Sequence, residues 1–222
     1  MKAGTKTRLE PSGAILSEDK VYRYRLWRTV AVGDRLDELM RGRGNPERTV
    51  AWVMLNPSVA DAAINDATIR RCMGFTKTWG YDSLDVVNLY GLRSTNPKNL
   101  WAVKDPIGPE NDGWVREVCS LADLIVCAWG ANAGAKRVEQ VLRKVAYLTR
   151  PVPESAVVKN VELWHLGLTA EGLPRHPLRL PKSLAIQRWD AVCDSCLVPS
   201  RHMHCPECGS YDHTADRCDN GG

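Results

Sequence analysis

Four short apolar runs, each closed by a polar or glycine-bearing turn, constrain this chain more than any other feature of its sequence. The first, residues 50–55, ends at Asn56-Pro57-Ser58 and precedes a helix-like segment carrying Thr68, Ile69 and Cys72. The second, Leu84 to Tyr90, stops at Gly91 and leads to Ser94-Thr95-Asn96-Pro97, where Thr95 or Asn96 can cap a helix containing Leu100 and Trp101. The third, Leu124 to Trp129, ends at Gly130 and precedes a helix from about Ala135 to Tyr147. The fourth, Val161 to Leu166, leads into a loop holding Arg175-His176-Pro177. Strands this apolar have no polar face to show, so they belong in a parallel sheet covered on both sides by the helices between them. The expected fold is a three-layer α/β/α domain over residues 1–190 with a central, mostly parallel, four-stranded sheet. Ligands of such sheets bind beyond the carboxyl ends of the strands. Asn56, Asn88 and His176 are the polar residues at or just past those ends. Cys72, Cys119 and Cys127 read as core. Asp66, Arg70 and Arg71 read as an ion-pair set on a helix surface, with an arginine facing a phosphate as the alternative.

Past Trp189 the composition changes. Residues 193–222 hold five of the eight cysteines and three of the five histidines, with almost no large apolar side chains. Such a segment has no core of its own to build, so a metal is expected to organise residues 191–222. The spacing Cys205-x2-Cys208-x4-His213-x4-Cys218 is that of a zinc knuckle, a closed structural Zn2+ site of three thiolates and one imidazole. A second ligand set, Cys193 and Cys196 with Cys205 and Cys208, would make a four-cysteine ribbon instead. Knuckles grip single-stranded nucleic acid with aromatic and basic side chains. Here Tyr211 is the one aromatic inside the module and acids outnumber Arg217, so a protein partner or a purely structural role stands beside nucleic-acid contact. The start of the chain lacks an apolar signal core, and no stretch reaches the roughly 18 apolar residues that span a bilayer. A cytoplasmic, reducing setting with no membrane partner is therefore expected, one in which clustered cysteines suit a metal better than disulfides.

Four segments together resemble the uracil-DNA glycosylase superfamily. Met54-Leu55-Asn56-Pro57-Ser58 is similar to its first active-site motif, and residues 86–93 to the strand that offers an asparagine to an extruded base. Residues 124–130 resemble its third strand, and His176-Pro177 falls where it carries a His-Pro-Ser loop. The pattern Met54 to Ser58, then Thr68-Ile69-Arg70-Arg71-Cys72, is similar also to an uncharacterised family of bacterial and phage proteins. The glycosylase resemblance implies a DNA partner and catalytic roles for Asn56, which would hold a water beneath the sugar, and His176, which would donate to the pyrimidine O2. It implies a base pocket formed by Asn88, Ser58 and Pro57.

The chemistry of these residue types suits base excision, which needs a held water, donors for the charge building on the leaving base, and a pocket for a base turned out of the helix. Departures from the pattern shape the expected substrate. Ser58-Val59-Ala60 stand where uracil-specific relatives carry an aromatic gate, so an unusual or C5-modified pyrimidine is expected. Leu178 replaces the loop serine, and Arg175 and Arg179 flank it as substitutes for a phosphate contact. Between Gly130 and Asp190 ten Lys and Arg face five Asp and Glu, and Lys136 and Arg137 join those two arginines as candidates for the nucleic-acid backbone. Two other functions remain open: a nucleic-acid-binding protein that kept the fold without the chemistry, and an enzyme acting on free modified nucleotides.

The tail is expected to bind one zinc ion. Metal analysis of Cys218→Ala and Cys193→Ala proteins separates the two ligand sets. Loss of zinc only in Cys218→Ala supports the knuckle, loss only in Cys193→Ala supports the ribbon, and a parent chain free of zinc refutes both.

Overall fold

The computed structural model describes residues 11–42, 46–146 and 162–189. In chain order these form β1 (Ser12–Leu16), β2 (Arg23–Thr29), α1 (Asp34–Met40), β3 (Thr49–Met54), α2 (Ala67–Thr78), β4 (Ser83–Asn88), α3 (Asn111–Leu121), β5 (Leu124–Cys127), α4 (Ala135–Ala146), β6 (Leu163–His165) and β7 (Gln187–Arg188). One mixed sheet contains all seven strands in the order β1-β2-β4-β3-β5-β6-β7. β3 pairs in parallel with β4 and β5, and β5 with β6, so four parallel strands make its middle. The expectation of only four strands is corrected at the edges. β1 and β2 form an antiparallel hairpin beside β4, and β7 runs antiparallel to β6.

Side-chain alternation explains the layers. Val50, Trp52, Met54, Leu84, Val86 and Val126 turn to one face, where Ile69, Cys72 and Phe75 of α2 cover them. Their neighbours Ala51, Val53, Val87, Ile125 and Cys127 turn to the other, against Val115, Val118 and Cys119 of α3 and Val138, Val141 and Leu142 of α4. The helix face of α2 follows from apolar residues three and four apart, and its start from Asp66, whose carboxylate accepts from the Ile69 amide at 2.8 Å. Asp66 is thereby committed to a cap. Arg70 donates to the Asn65 carbonyl and Arg71 lies over the Phe75 ring, so the expected ion-pair set does not form among the described residues. Cys72, Cys119 and Cys127 are buried as expected, and burial pushes the Cys119 thiol up to about 12. After β4, Asn96 caps only a 3-10 helix, Pro97–Trp101; the helix that returns over the sheet is α3.

The edge hairpin carries a bulge. Ile15 faces Arg25 and Leu16 faces Arg23, which leaves Tyr24 as an extra residue on β2. Arg25 pairs with Asp85 at 2.9 Å. Arg23 and Arg28, five apart, nevertheless reach the same segment: Arg23 donates to the Ala60 carbonyl at 2.8 Å, and Arg28 to the Asn65 side chain at 2.7 Å. Strict alternation would place those two arginines on opposite faces. The extra residue reconciles them.

At the opposite, amino edge of the parallel strands, Asp82 accepts from Arg35 Nε at 2.9 Å, from its second guanidinium nitrogen at 2.8 Å and from the Arg48 amide at 2.8 Å. These bonds hold α1 and the lead into β3 against the start of β4. The Arg35 guanidinium keeps the Asp82 carboxyl below its usual range, so the stabilisation is present above the ordinary carboxylate value and is lost as pH falls through the depressed one. Asp82→Ala is expected to lower stability by about 1–2 kcal/mol at neutral pH. Urea unfolding at falling pH checks this: the gap between parent and variant should shrink below the usual carboxylate range, and a constant gap would refute the linkage.

Candidate functional site

The helices following β3 and β5 pack on opposite faces of the sheet, α2 on one and α4 on the other. Sheets of this kind bind ligands where the connections of two such adjacent parallel strands part, beyond their carboxyl ends. Asn56 lies two residues past β3, Asn88 is the last residue of β4, and His176 packs over Gly130, three residues past β5. All three reach the carboxyl edge.

Asn56 is fixed by its amide nitrogen, which donates to the carbonyls of Ser94 at 2.8 Å, Pro57 at 3.1 Å and Leu92 at 3.5 Å. Turning the amide over would aim its oxygen at three other oxygens, so the hydrogen bonds define its orientation. Its Oδ1 has no partner among the described residues and is the acceptor left for a ligand. Asn88 is the stronger anomaly. It is 1% exposed, beside the buried end of β3, and neither Oδ1 nor Nδ2 has a partner among the described residues. Its backbone carbonyl is already taken by the Asn111 amide at 2.9 Å. Leaving a buried amide unpaired costs about 1–3 kcal/mol, so its side chain does not serve to cap the strand.

Gly130 has φ of 76°, and a Cβ there would come within 3.4 Å of the His176 Cβ. Glycine therefore permits both the turn after β5 and the close seat of the histidine loop, which is tied by Gly130 donating to the Pro174 carbonyl at 2.8 Å. The Leu178 amide donates to His176 Nδ1 at 3.3 Å, which puts the proton of the neutral ring on Nε2. Burial lowers the His176 pKa, opposed by the charge of Asp66. A neutral ring results at neutral pH, with its Nε2–H unpartnered among the described residues.

The other expected residues divide. Pro57 is buried, Ser58 half-buried and Val59 exposed, and no aromatic ring stands at Ser58 to Ala60. Arg175, Arg179 and Lys136 are exposed. Arg137 is corrected: it is 5% exposed, donates to the Leu89 carbonyl at 2.7 Å and pairs with Asp112 at 2.6 Å, so it ties α4 to β4 and α3 rather than facing a phosphate. Cys205, Cys208, His213 and Cys218, with Cys193 and Cys196, lie outside the described residues; among the described residues no cluster suits a metal. No helix among them is long and apolar enough to cross a membrane.

Two residues absent from the sequence expectations stand at this edge. Arg23 is 2% exposed, and burial is the main cause that pulls its pKa down to about 10, with Arg93 and Arg28 adding to it and Asp66 opposing. Its Nε and that of Arg93 are both buried without partners among the described residues. Arg23 donates its backbone amide to Gly91 and Arg93 donates its own to Val21, so the two arginines are diagonal neighbours on one face of the ladder. The sequence signal was available only as Arg-Tyr-Arg-Leu-Trp-Arg, which reads as a solvated stretch unless the bulge is known.

A family model described as a protein of unknown function (DUF1643) matches residues 23–178, from Arg23 to just beyond His176. No curated protein and no solved structure gives a match.

If Asn88 serves a ligand rather than the fold, Asn88→Leu removes an unsatisfied amide at nearly constant volume. Stability is expected to hold or to rise by about 1–3 kcal/mol, measured by chemical denaturation. A clear loss of stability would show that the amide has a structural partner and would refute its assignment to a ligand.

Proposed function

The chain belongs to the DUF1643 family, and we propose that it is a DNA glycosylase that hydrolyses the N-glycosidic bond of an unusual or C5-modified pyrimidine, with a glycosylase-like arrangement of its parallel strands. The buried, unpaired amide of Asn88 carries this reading. An amide whose donor and acceptor are both unspent, at the carboxyl edge of a parallel sheet, suits the Watson–Crick edge of a base turned out of the duplex. The donor–acceptor pair distinguishes one pyrimidine from another only if the amide is held in one orientation, and a bound base would supply that constraint.

The remaining groups supply the chemistry. Oδ1 of Asn56 would accept from a water placed below the sugar. As that water oxygen bonds to C1′, the N-glycosidic bond breaks and its electron pair leaves with the base. Nε2–H of His176 would donate to the pyrimidine O2, where that charge collects. The water proton passes to solvent or to the departed base. An amide abstracts protons poorly, so the attack relies on positioning and on stabilising the leaving group rather than on a strong base. Small residues at 58–60 would leave room for a C5 substituent.

Incubation with duplex and single-stranded DNAs carrying a panel of modified pyrimidines, with mass spectrometry of the released base, tests the reading; release from none refutes it. With a substrate in hand, His176→Ala is expected to lose about 100-fold in rate, the usual cost of one such donor. Asn56→Asp should lose activity rather than gain it, because a carboxylate would face the carbonyls of Pro57, Leu92 and Ser94. Ser58→Tyr should suppress cleavage of C5-modified bases more than that of uracil, and equal losses would remove Ser58 as the gate.

A further inference from the structure

Arginine is almost never fully buried without a counter-charge. Arg23 has no carboxylate within ion-pairing distance among the described residues, and one nitrogen of its guanidinium is used, on the Ala60 carbonyl. The two nearby acids are spent on backbone amides: Asp66 on Ile69, and Asp61 on Ala63 and Ile64. Every other charge that acts on Arg23 is positive, from Arg28 and Arg93. Arg28 is saturated by the carbonyls of Gly13, Trp27, Asp61 and Ile64 and by Asn65, and it makes no demand for a ligand. Among the described residues the Arg93 guanidinium makes one hydrogen bond, to the Lys20 carbonyl, with its Nε buried and idle. Two guanidinium groups thus stand as diagonal neighbours with donors unspent among the described residues. Helix packing offers no reason to set a buried arginine beside a half-buried one, and an anion with several acceptor oxygens does.

We propose that Arg23 and Arg93 form a binding site for the phosphate group of a nucleotide, the one whose base Asn88 reads. Gly91, which pairs with Arg23 across the ladder, lies three residues past Asn88 on the same strand end. The identity of the ligand as a nucleotide rests on the function proposed above; the need for an anion does not. A terminal phosphate of a free nucleotide and a phosphodiester of a DNA strand share the chemistry, and they differ in charge and in what continues beyond the oxygens. The arginines would also fix the register of a strand, since one phosphate held at β2 sets which nucleotide reaches β4.

Thermal unfolding of the full chain in inorganic phosphate, against chloride at equal ionic strength, tests the site directly. Phosphate should raise the midpoint of the parent and leave that of Arg93→Gln nearly unmoved. Arg23→Met should behave likewise, with circular dichroism to show that it is folded; Arg93→Gln carries the test if it is not. Equal shifts in parent and Arg93→Gln would place the anion elsewhere and overturn the proposal, as would no shift in the parent. Deoxyuridine, its 5′-monophosphate and a short oligodeoxyuridylate then identify the source. The phosphate should contribute about tenfold in affinity to the parent, and the gain should vanish in Arg93→Gln. A gain confined to the mononucleotide assigns the site to free nucleotides, one confined to the oligomer assigns it to a strand, and no gain with either overturns the nucleotide. Phosphate binding without release of any base would leave this site standing while the glycosylase reading fell; base release without phosphate binding would do the reverse.

Discussion

The central strand β3 hydrogen bonds in parallel to β4 on one side and to β5 on the other, and the helices that follow β3 and β5 pack on opposite faces. A strand buried on both faces must hand every polar atom of its exit to something, and the exit of β3 does so through Asn56, whose amide nitrogen collects the carbonyls of Pro57, Leu92 and Ser94. That one side chain ties the end of β3 to the loop after β4. The parting of the two helix layers then leaves the carboxyl edge as the place where buried polar groups can meet a ligand.

The parallel middle of the sheet was legible because its strands are apolar on both faces, a pattern that few other structures tolerate. Asn56, Asn88 and His176 could be named for the same reason: a polar residue at the end of such a strand has nothing apolar to do. The edge hairpin was not legible. Tyr24, Leu26 and Arg28 are buried, but arginines at 23, 25 and 28 made the stretch look solvated, and a two-residue strand such as Gln187–Arg188 has no pattern to read. α3 was missed for a different cause. Its apolar face is only Val115, Val118 and Cys119, with Gly113 in its first turn, while the stronger capping signal at Asn96 starts no more than a 3-10 helix. Arg137 shows the limit of counting charge, since a cation on a helix can be spent on a strand-end carbonyl as readily as on a phosphate.

Buried groups without partners separate two demands on this molecule. Asp82, Asp85 and Arg137 are buried and fully engaged, and they hold the sheet to its helices. Asn88 and Arg23 are buried, Arg93 is half-buried with its Nε enclosed, and all three are under-engaged among the described residues. A fold selected for stability alone would replace them with apolar side chains of similar volume, which often costs nothing. Their presence at one edge, around the strand ends, places the instability where a ligand would relieve it.

The bulge at Tyr24 sets the direction of Arg23 by a count of residues rather than by any residue's chemistry. Substitutions at position 24, scanned one amino acid at a time, would leave the count unchanged and report the site as tolerant. Insertion of one residue into β1 opposite Tyr24 would restore strict alternation along all of β2 and send the Arg23 side chain through the sheet to the layer of α3, whereas deletion of Tyr24 would remove the bulge and leave Arg23 on its present face. Charge at the site is thus encoded in chain length, so insertions and deletions in the hairpin, which an edge strand ordinarily absorbs, fall under the same constraint as the residues that touch the ligand.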